Sequence, residues 1–389
     1  MRQRLAKVTV WRAIFAAILL SGAYATYLRI FYGLGGATNL SDRFPWGLWI
    51  AFDILCGVGL AAGGFTLVAV VHIFNIERYK PILRPAILTA FLGYMLVVVA
   101  LLYDLGRPDR LWHPLVMWNP HSVMFEVAWC VMLYTTVLFL EFIPVVLEKF
   151  GWNRPLNWIH NISVPLMIAG VLLSTLHQSS LGSLYLIVPE KMYPLWYSPT
   201  LPAMFFLSAI GVGLAMTIFE SWHSSRAFGR ALELPLLASM GRVLAVLMSA
   251  YLWLRFLDIA RRGVLPLLAR NRPETWLFLL EIALLAVPTA LLFQRSVRMR
   301  PGALYACAVM VVFGFIANRL NVGVTAMEAA SGTSYVPKWS EIAVTLSIVA
   351  AGFAIFRVIA EYFPIFEKVS LEAGAAQAPE PERARVAAA

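Results

Sequence analysis

Long apolar runs separated by short polar segments form the main pattern of this chain. Ten runs are long enough to cross a bilayer, since about 20 apolar residues in a helix span its hydrocarbon core. They are predicted at residues 8–32, 46–73, 86–105, 122–147, 159–183, 202–221, 234–257, 274–293, 302–320 and 340–363. The first follows Arg2, Arg4 and Lys7, as in a signal peptide, but it is longer than the apolar region of one. We therefore interpret it as an uncleaved membrane helix.

Composition agrees with this interpretation. Of the 389 residues, 60% are hydrophobic and 13% are charged, which excludes a soluble fold and is typical of a polytopic α-helical membrane protein. The net charge of +10 comes from short loops, so it indicates membrane topology rather than a nucleic-acid surface. Cys56, Cys130 and Cys307 are isolated inside apolar runs, and their spacing predicts no disulfide, metal site or iron–sulfur cluster.

The loop charges predict an orientation. Ten spans place both chain ends on one side, and the Lys and Arg outside the helices divide 16 to 10 in favour of that side. By the positive-inside rule both termini are cytoplasmic, in a bacterial inner membrane, and the loops before the even-numbered spans face outwards. The segment 370–389 is rich in Ala, Pro, Glu and Arg and is predicted to be a disordered cytoplasmic tail.

The chain also contains an internal repeat. The stretch 57–61, GVGLA, recurs at 211–215, and 104–107 resembles 258–261 at the same offset of 154. Glu126 matches Glu281 at an offset of 155. The repeat predicts two parallel four-helix bundles, spans 2–5 and 6–9, with spans 1 and 10 flanking them. The predicted units are 1–40, 41–200 with the functional site, 201–335 and 336–369.

Polar residues gather in the first of these bundles. Asp53 falls in the outer half of span 2, Glu126 about one turn into span 4, and His177 near the outer end of span 5. Buried ionisable groups in a membrane are costly and usually functional, so we expect them to converge on one site. The second bundle has Leu207 and Asn321 at the positions equivalent to Asp53 and His177, so it is predicted to be a scaffold.

Other residues near this level have structural alternatives. Arg107 is as compatible with an ion pair to Asp104 as with a functional role, and Arg110 suits lipid head groups. His113 and His121 lie in a loop rich in Trp and Pro, where interfacial packing and function are both open. Gly59 and Gly63 are spaced for helix packing rather than for nucleotide binding.

The polar set suits a quinone better than a haem. A transmembrane b haem needs two histidines at matching depth, and His177 alone lies clearly inside a span. No haem is therefore predicted. A quinone head group needs hydrogen-bond partners and nearby proton donors, while its tail needs an apolar path to lipid.

Four segments resemble a known family: FPWGLWIAFD (44–53), HSVMFE (121–126), LEFIP (140–144) and STLHQSSLGSL (174–184). They are similar to the NrfD/polysulfide-reductase membrane subunits, and within them to the HybB-type subunit of periplasmic nickel–iron hydrogenases. This resemblance implies an integral quinone-reactive subunit with no cofactor of its own. It also implies a ferredoxin-like iron–sulfur partner on the periplasmic face and a catalytic oxidoreductase beyond it, such as a hydrogenase.

The hypothesis from the sequence is a quinone/quinol oxidoreductase membrane subunit that uses menaquinone or ubiquinone. We expect hydrogen bonding and proton exchange at Asp53, Glu126 and His177, and the quinone-binding residues are predicted to be Trp46, Tyr103, Arg107 and His113. Proton translocation is open at this point. Two alternatives are also open, an ion-coupled secondary transporter and a passive membrane anchor.

Overall fold

The computed structural model describes residues 10–229 and 231–365. These residues form ten helices that are long and apolar enough to cross a membrane. In chain order, α1 to α10 are Val10–Ala37, Trp49–Ile73, Glu77–Asp104, Val123–Phe150, Ser163–Ser183, Leu201–Ala227, Leu234–Arg261, Pro273–Leu292, Pro301–Ser331 and Trp339–Tyr362. The predicted all-α class with ten membrane-spanning helices is confirmed. The predicted tail at 370–389 lies outside the described residues.

Two helices, α3 and α9, extend furthest beyond their predicted bounds. α3 begins at Glu77 rather than at 86, because a 3-10 turn leads into it and Pro81 falls in its first helical turn. Proline is tolerated there, since the first helical N–H groups have no partner within the helix. α9 continues beyond 320 to Ser331 through a π-helical segment, Asn321–Thr325. Contacts with other helices keep that segment helical. These contacts cannot be deduced from local sequence preference.

The central eight helices pack as two groups of four. In the first group, α2 and α4 each contact both α3 and α5. In the second group, α6 and α8 each contact both α7 and α9. Each group therefore forms a ring of four neighbouring helices, the arrangement that two bundles would give.

The two groups meet along α2 and α6, which are equivalent helices of the repeat. A Cβ atom at Gly213 of α6 would lie 2.7 Å from backbone atoms of Ala62 and Gly63 on α2, so no larger residue fits. Gly59 faces the ring of Phe315 on α9 with similar closeness. The interpretation of these glycines as helix-packing residues is confirmed.

The first and last helices form a pair. α1 packs along α10, and this pair packs on α3, while α10 also contacts the start of α2. The pair was expected to flank the two bundles. It also adds a wall to the first group and brings its polar side chains next to Asp53.

Consecutive spanning helices run in opposite directions, so their connections fall on two sides. We call side A the side of the connections before α2, α4, α6, α8 and α10, and side B the opposite side. The longest connection of side A is 105–122, which contains 3-10 turns at Pro108–Arg110 and His113–Leu115. Side B carries an extra short helix, Asn153–Asn161.

Candidate functional site

The first turns of α2 hold Asp53 in an uncommon helix geometry. Residues Trp49–Ile54 form π-helical rather than α-helical hydrogen bonds. Such turns are rare and are often found at functional sites. The π-helical segment of α9 lies against this one, with Gly323 in contact with Ala51. The two irregular segments therefore support each other at side A.

Asp53 is buried, with 6% of its surface exposed. Its Oδ2 atom accepts a hydrogen bond of 2.7 Å from the Thr345 hydroxyl of α10. Asp104, at the end of α3, is close enough to interact electrostatically with Asp53. The charge on Asp104 therefore affects Asp53.

An arginine from α1 fixes the end of α3 beside this pair. Arg29 Nε donates to the carbonyl of Tyr103 at 2.7 Å, and Nη2 donates to the carbonyl of Leu105 at 2.6 Å. The last carbonyls of a helix have no partner within it, and a cation there is also favourable for the helix dipole. Arg29 also interacts electrostatically with the Asp104 carboxyl group.

A second buried carboxylate anchors the start of α10. Glu341 is 1% exposed and accepts hydrogen bonds from the backbone N–H groups of Asn39 and Lys338 and from the hydroxyl of Tyr335. The same Tyr335 hydroxyl accepts from the backbone N–H of Leu48. Glu341 thus ties α10 to the loop that leads into α2, and its full set of partners indicates a structural role.

Two predicted quinone-binding residues lie around Asp53 without reaching its cavity. Tyr103 packs edge-on against Trp49, with ring centroids 6.0 Å apart, and its hydroxyl is hydrogen-bonded to Thr26 at 2.8 Å. Trp46 packs edge-on against Tyr185, with ring centroids 5.8 Å apart. Both residues support the side-A rim of the site.

The other two predicted quinone-binding residues lie in the 105–122 connection. Arg107 is exposed and forms a two-pronged ion pair with Asp109, at 3.0 and 3.1 Å. The alternative of an ion pair with Asp104 is therefore wrong, because α3 ends before the arginine and its side chain turns to the surface. His113 packs edge-on against Trp112, with ring centroids 4.5 Å apart.

His177 is fully buried inside the first group. Its ring centroid lies 5.7 Å from that of Tyr94, which in turn packs edge-on against Tyr134 at 4.6 Å. Within the described residues, both His177 ring nitrogens and the hydroxyls of Tyr94, Tyr134 and Ser174 have no hydrogen-bond partner. Ser174 and Gln178 also lie near the Tyr94 hydroxyl. Buried polar groups are normally paired, so this cluster is a candidate for the functional interior.

Glu126 faces the surface of the first group. Ser122 caps the start of α4, and Glu126 follows one turn later. Its carboxylate accepts a hydrogen bond of 2.5 Å from Ser180 of α5. Within residues 10–229 and 231–365, no hydrogen bond joins any two of Asp53, Glu126 and His177. The structure places them in three environments rather than in one cluster.

A large apolar cavity of about 600 Å³ begins at Asp53. Its walls come from α2, α3, α6, α9 and α10, and it extends from Asp53 near side A to His223 and Arg357 near side B. The volume lies in the range of pockets that hold small-molecule ligands. A single buried carboxyl group at one end of an apolar cavity suits a ligand with a polar head and an apolar body.

A further carboxylate in this cavity was not predicted. Glu220 of α6 lines it and accepts a hydrogen bond of 2.6 Å from Thr89 of α3. Glu220 also lines a small pocket of about 50 Å³ toward side B. Its position inside the apolar run 202–221 was a signal that sequence analysis could have used. Arg29, inside the apolar run 8–32, carried the same signal, whereas Thr345 carried none, because only the packing of α10 brings it to the site.

The second group has a different interior. Glu281, the counterpart of Glu126, is fully buried and accepts hydrogen bonds from three side chains. Its donors are Trp196 at 2.9 Å, Asn318 at 2.8 Å and Asn321 at 2.9 Å. Arg255 Nη2 lies 4.0 Å away.

Arg319 extends this network toward α6. Its guanidinium donates to Asn318 at 2.6 Å and to Ser208 at 2.8 Å, and it lies over the ring of Phe205 at 3.5 Å. Among the described residues, no group of three or more His, Cys, Asp or Glu side chains could hold a metal ion. The polar residues of the second group therefore bind one another.

Comparison with known proteins decides the family. The sequence model described as "Polysulphide reductase, NrfD" matches residues 36–327. The chain belongs to the NrfD family. The matched region includes the whole of α2 to α8 and the four segments on which the resemblance rested, and that resemblance is confirmed.

Several relatives of this NrfD-family chain are named as membrane subunits of redox complexes. It is 32% identical to the "Probable Ni/Fe-hydrogenase 2 b-type cytochrome subunit" of Escherichia coli, over 90% of this chain and 91% of the relative. It is 31% identical to the "Menaquinone reductase, integral membrane subunit" of Nitratidesulfovibrio vulgaris, over 94% and 93%. It is 26% identical to the "Hdr-like menaquinol oxidoreductase integral membrane subunit" of Archaeoglobus fulgidus, over 66% and 60%.

Proposed function

We propose that this chain is the quinone-reactive membrane subunit of a respiratory oxidoreductase complex. The observation that carries the proposal is the buried Asp53 at one end of an apolar cavity of about 600 Å³. A quinone has a polar head group and an apolar tail, and this cavity offers a place for both. Relatives named for menaquinone and menaquinol support a quinone as the substrate.

The residues around Asp53 suit proton exchange with a quinone head group. Reduction of a quinone to a quinol takes up two electrons and two protons. Thr345 holds one carboxylate oxygen of Asp53, which fixes the orientation of the group. Asp104 lies between Asp53 and the side-A connection and is coupled to it electrostatically, so it is the next group for proton exchange with that side.

Electrons come from a partner subunit in this proposal. Cys56, Cys130 and Cys307 are free and lie on three different helices, whereas iron–sulfur clusters are held by sets of cysteines. The Asp53 end of the cavity lies toward side A, so we place the iron–sulfur partner there. The 105–122 connection exposes a patch of apolar side chains that suits docking, formed by Trp112, Leu115, Val116, Met117 and Trp118. The hydrogenase-subunit relative supports a hydrogenase as the catalytic partner.

Side A is the periplasmic side in this proposal, as the loop charges predict. The measurement is a pair of reporter fusions, one near residue 195 and one after residue 150. The fusion near 195 should report the periplasm and the other the cytoplasm. The opposite result would place the Asp53 end of the cavity on the cytoplasmic side.

The chain itself carries no haem in this proposal, although one relative is named a b-type cytochrome subunit. His72 and His223 fall near the side-B ends of α2 and α6, and the buried His177 is surrounded by tyrosines. The reduced-minus-oxidised spectrum of the purified chain should show no b-type band. A stoichiometric haem signal from this chain alone would overturn this assignment.

Purification of the complex in mild detergent tests the main proposal. Mass spectrometry should find an iron–sulfur subunit and an oxidoreductase, quinone should copurify, and the complex should reduce an added quinone analogue. A complex without redox subunits that moves an ion with a solute would instead support a transporter. An intact redox complex that never reacts with quinone would instead support the role of a passive membrane anchor for this chain.

A further inference from the structure

The cavity has the shape of a channel rather than of a round pocket. On α10 its lining residues run from Ile348 to Arg357, which is about 14 Å of helix at 1.5 Å per residue. This is nearly half of a hydrocarbon core about 30 Å thick. Most lining side chains between Asp53 and the side-B end are apolar. A long, flexible apolar chain would fill this space while its polar end stays at Asp53.

The channel is closed toward α3. α10 packs on α3, and a Cβ atom at Gly352 would lie 2.5 Å from Cδ1 of Leu96. A larger residue at 352 would therefore press on the end of the Leu96 side chain. The two helices are in direct contact along this seam.

The opposite seam, between α9 and α10, is open. Three residues that line the channel there are also exposed: Phe313 of α9 at 57%, and Val349 and Phe353 of α10 at 38% and 63%. α9 packs on α6 and α8, while α10 packs on α1 and α3. Within the described residues, α9 and α10 share no extended contact. At this depth the exposed surface faces lipid.

We propose that the seam between α9 and α10 is the portal through which the isoprenoid tail of a quinone enters and leaves, with Phe313 and Phe353 on its two edges. This inference rests on the proposed function. The head group reaches Asp53, and the tail follows the channel toward side B and leaves between the two phenylalanines. α10 lies outside both four-helix groups, so the repeat alone would not form this wall.

The first test compares quinones with and without a tail. Val349→Trp adds bulk at the portal, and Ile355→Trp, on the same helix, adds it at a lipid-exposed residue that does not line the channel. In the purified complex, Val349→Trp should raise the KM for a long-tailed menaquinone about tenfold more than the KM for a naphthoquinone without a tail. Ile355→Trp should leave the ratio of the two KM values unchanged. An unchanged ratio in both variants would overturn the portal.

The second test measures occupancy without turnover. Val349→Cys and Ile355→Cys are each labelled in the complex with a lipid-soluble maleimide. A long-tailed menaquinone should slow labelling at 349 and not at 355, and the tail-free naphthoquinone should slow neither. Protection at 349 by added phospholipid but not by menaquinone would assign the channel to a lipid and overturn the proposal. If wild-type complex reduces neither quinone, the proposed function itself fails, and that outcome is distinct from a failed portal.

Discussion

The two four-helix groups share a repeat but differ in how their buried polar groups are paired. In the second group, Glu281 has three side-chain donors, and Arg319 continues the same network. In the first group, His177 and the tyrosines around it have no hydrogen-bond partners among the described residues. The counterpart of Glu281, Glu126, faces the surface with a bond from Ser180.

This difference separates stability from function. An extensive buried hydrogen-bond network favours one rigid arrangement, and removal of one charged member is strongly destabilising. An unpaired buried polar group instead destabilises the fold by about 1–3 kcal/mol. We propose that the buried polar side chains around His177 are kept because they take part in proton exchange, with the chemistry in the first group and the rigid support in the second.

The largest expected effect is on Asp53, which has Leu207 as its counterpart in the second group. Asp53→Asn keeps the size of the side chain and removes its proton. We expect quinone-coupled turnover per assembled complex to fall about 10²–10⁴-fold, the usual loss for a general acid or base. The measurement is electron transfer from the partner to a quinone analogue, normalised to complex by mass spectrometry. Near-normal turnover would remove the chemistry from this end of the cavity.

The second prediction concerns stability. Glu281→Gln places an NH2 group where three donors now converge, and it leaves Arg255 and Arg319 without a carboxylate. We expect it to lower the free energy of unfolding in detergent by about 3–5 kcal/mol, as when a buried ion pair loses one partner. The assembled fraction should keep nearly wild-type turnover. A stable variant with strongly reduced turnover would move the active site into the second group.

The fold was predictable because apolar length and repetition are written directly in the sequence. Runs such as 202–221 gave the start of α6, and the recurrence of GVGLA at 211–215 indicated that α2 and α6 are equivalent helices of the repeat. The end of α9 was not predictable. Asn321 and Gly323 favour a helix stop by local preference, but hydrogen bonds to Glu281 and packing on Ala51 keep the chain helical.

The candidate site was only partly predictable. Asp53 could be identified because a carboxylate deep in an apolar run is costly. The position along each helix gave the depth of Glu126 and His177 in the membrane but not the direction in which each side chain points. One cluster with Asp53 was therefore expected, whereas the structure has the three residues in separate environments. Thr345 was not identified, because its role depends on α10 packing against the first group, and no repeat or spacing encodes that contact.

The third prediction tests the unpaired interior of the first group. His177→Ala should lower quinone-coupled turnover about 10²-fold, the lower end of the effect of a lost general acid or base. The assembled amount should change little, because no hydrogen bond to the ring is lost. Its counterpart Asn321→Ala should do the opposite, with less complex assembled and turnover per complex retained. The same phenotype for both variants would mean that the two groups do not divide these roles.

The fourth prediction concerns the surface carboxylate of the first group. Glu126→Gln keeps an acceptor for Ser180 and removes the charge. We expect turnover to fall about tenfold, less than for the buried groups, since solvent or a partner can replace part of the proton exchange. Ser180→Ala, which leaves the carboxylate in place, serves as the matched variant and should have a smaller effect. If Glu126→Gln has no effect, this residue has no part in turnover.

The smallest expected effect is on Thr345, the residue that α10 contributes to the first group. Thr345→Val keeps the shape of the side chain and removes the hydroxyl that donates to Asp53 Oδ2. A hydrogen bond to a charged or polar partner contributes about 1–3 kcal/mol, so we expect turnover to fall about five- to tenfold. Thr26→Val is the matched control, because Thr26 bonds to the hydroxyl of Tyr103 on the same side without touching Asp53. If both variants reduce turnover equally, α10 stabilises the bundle as a whole and does not position the Asp53 carboxyl group. A loss of turnover confined to Thr345→Val would show that the site of the first group depends on α10, a helix outside the repeat. The second group has no equivalent of this helix.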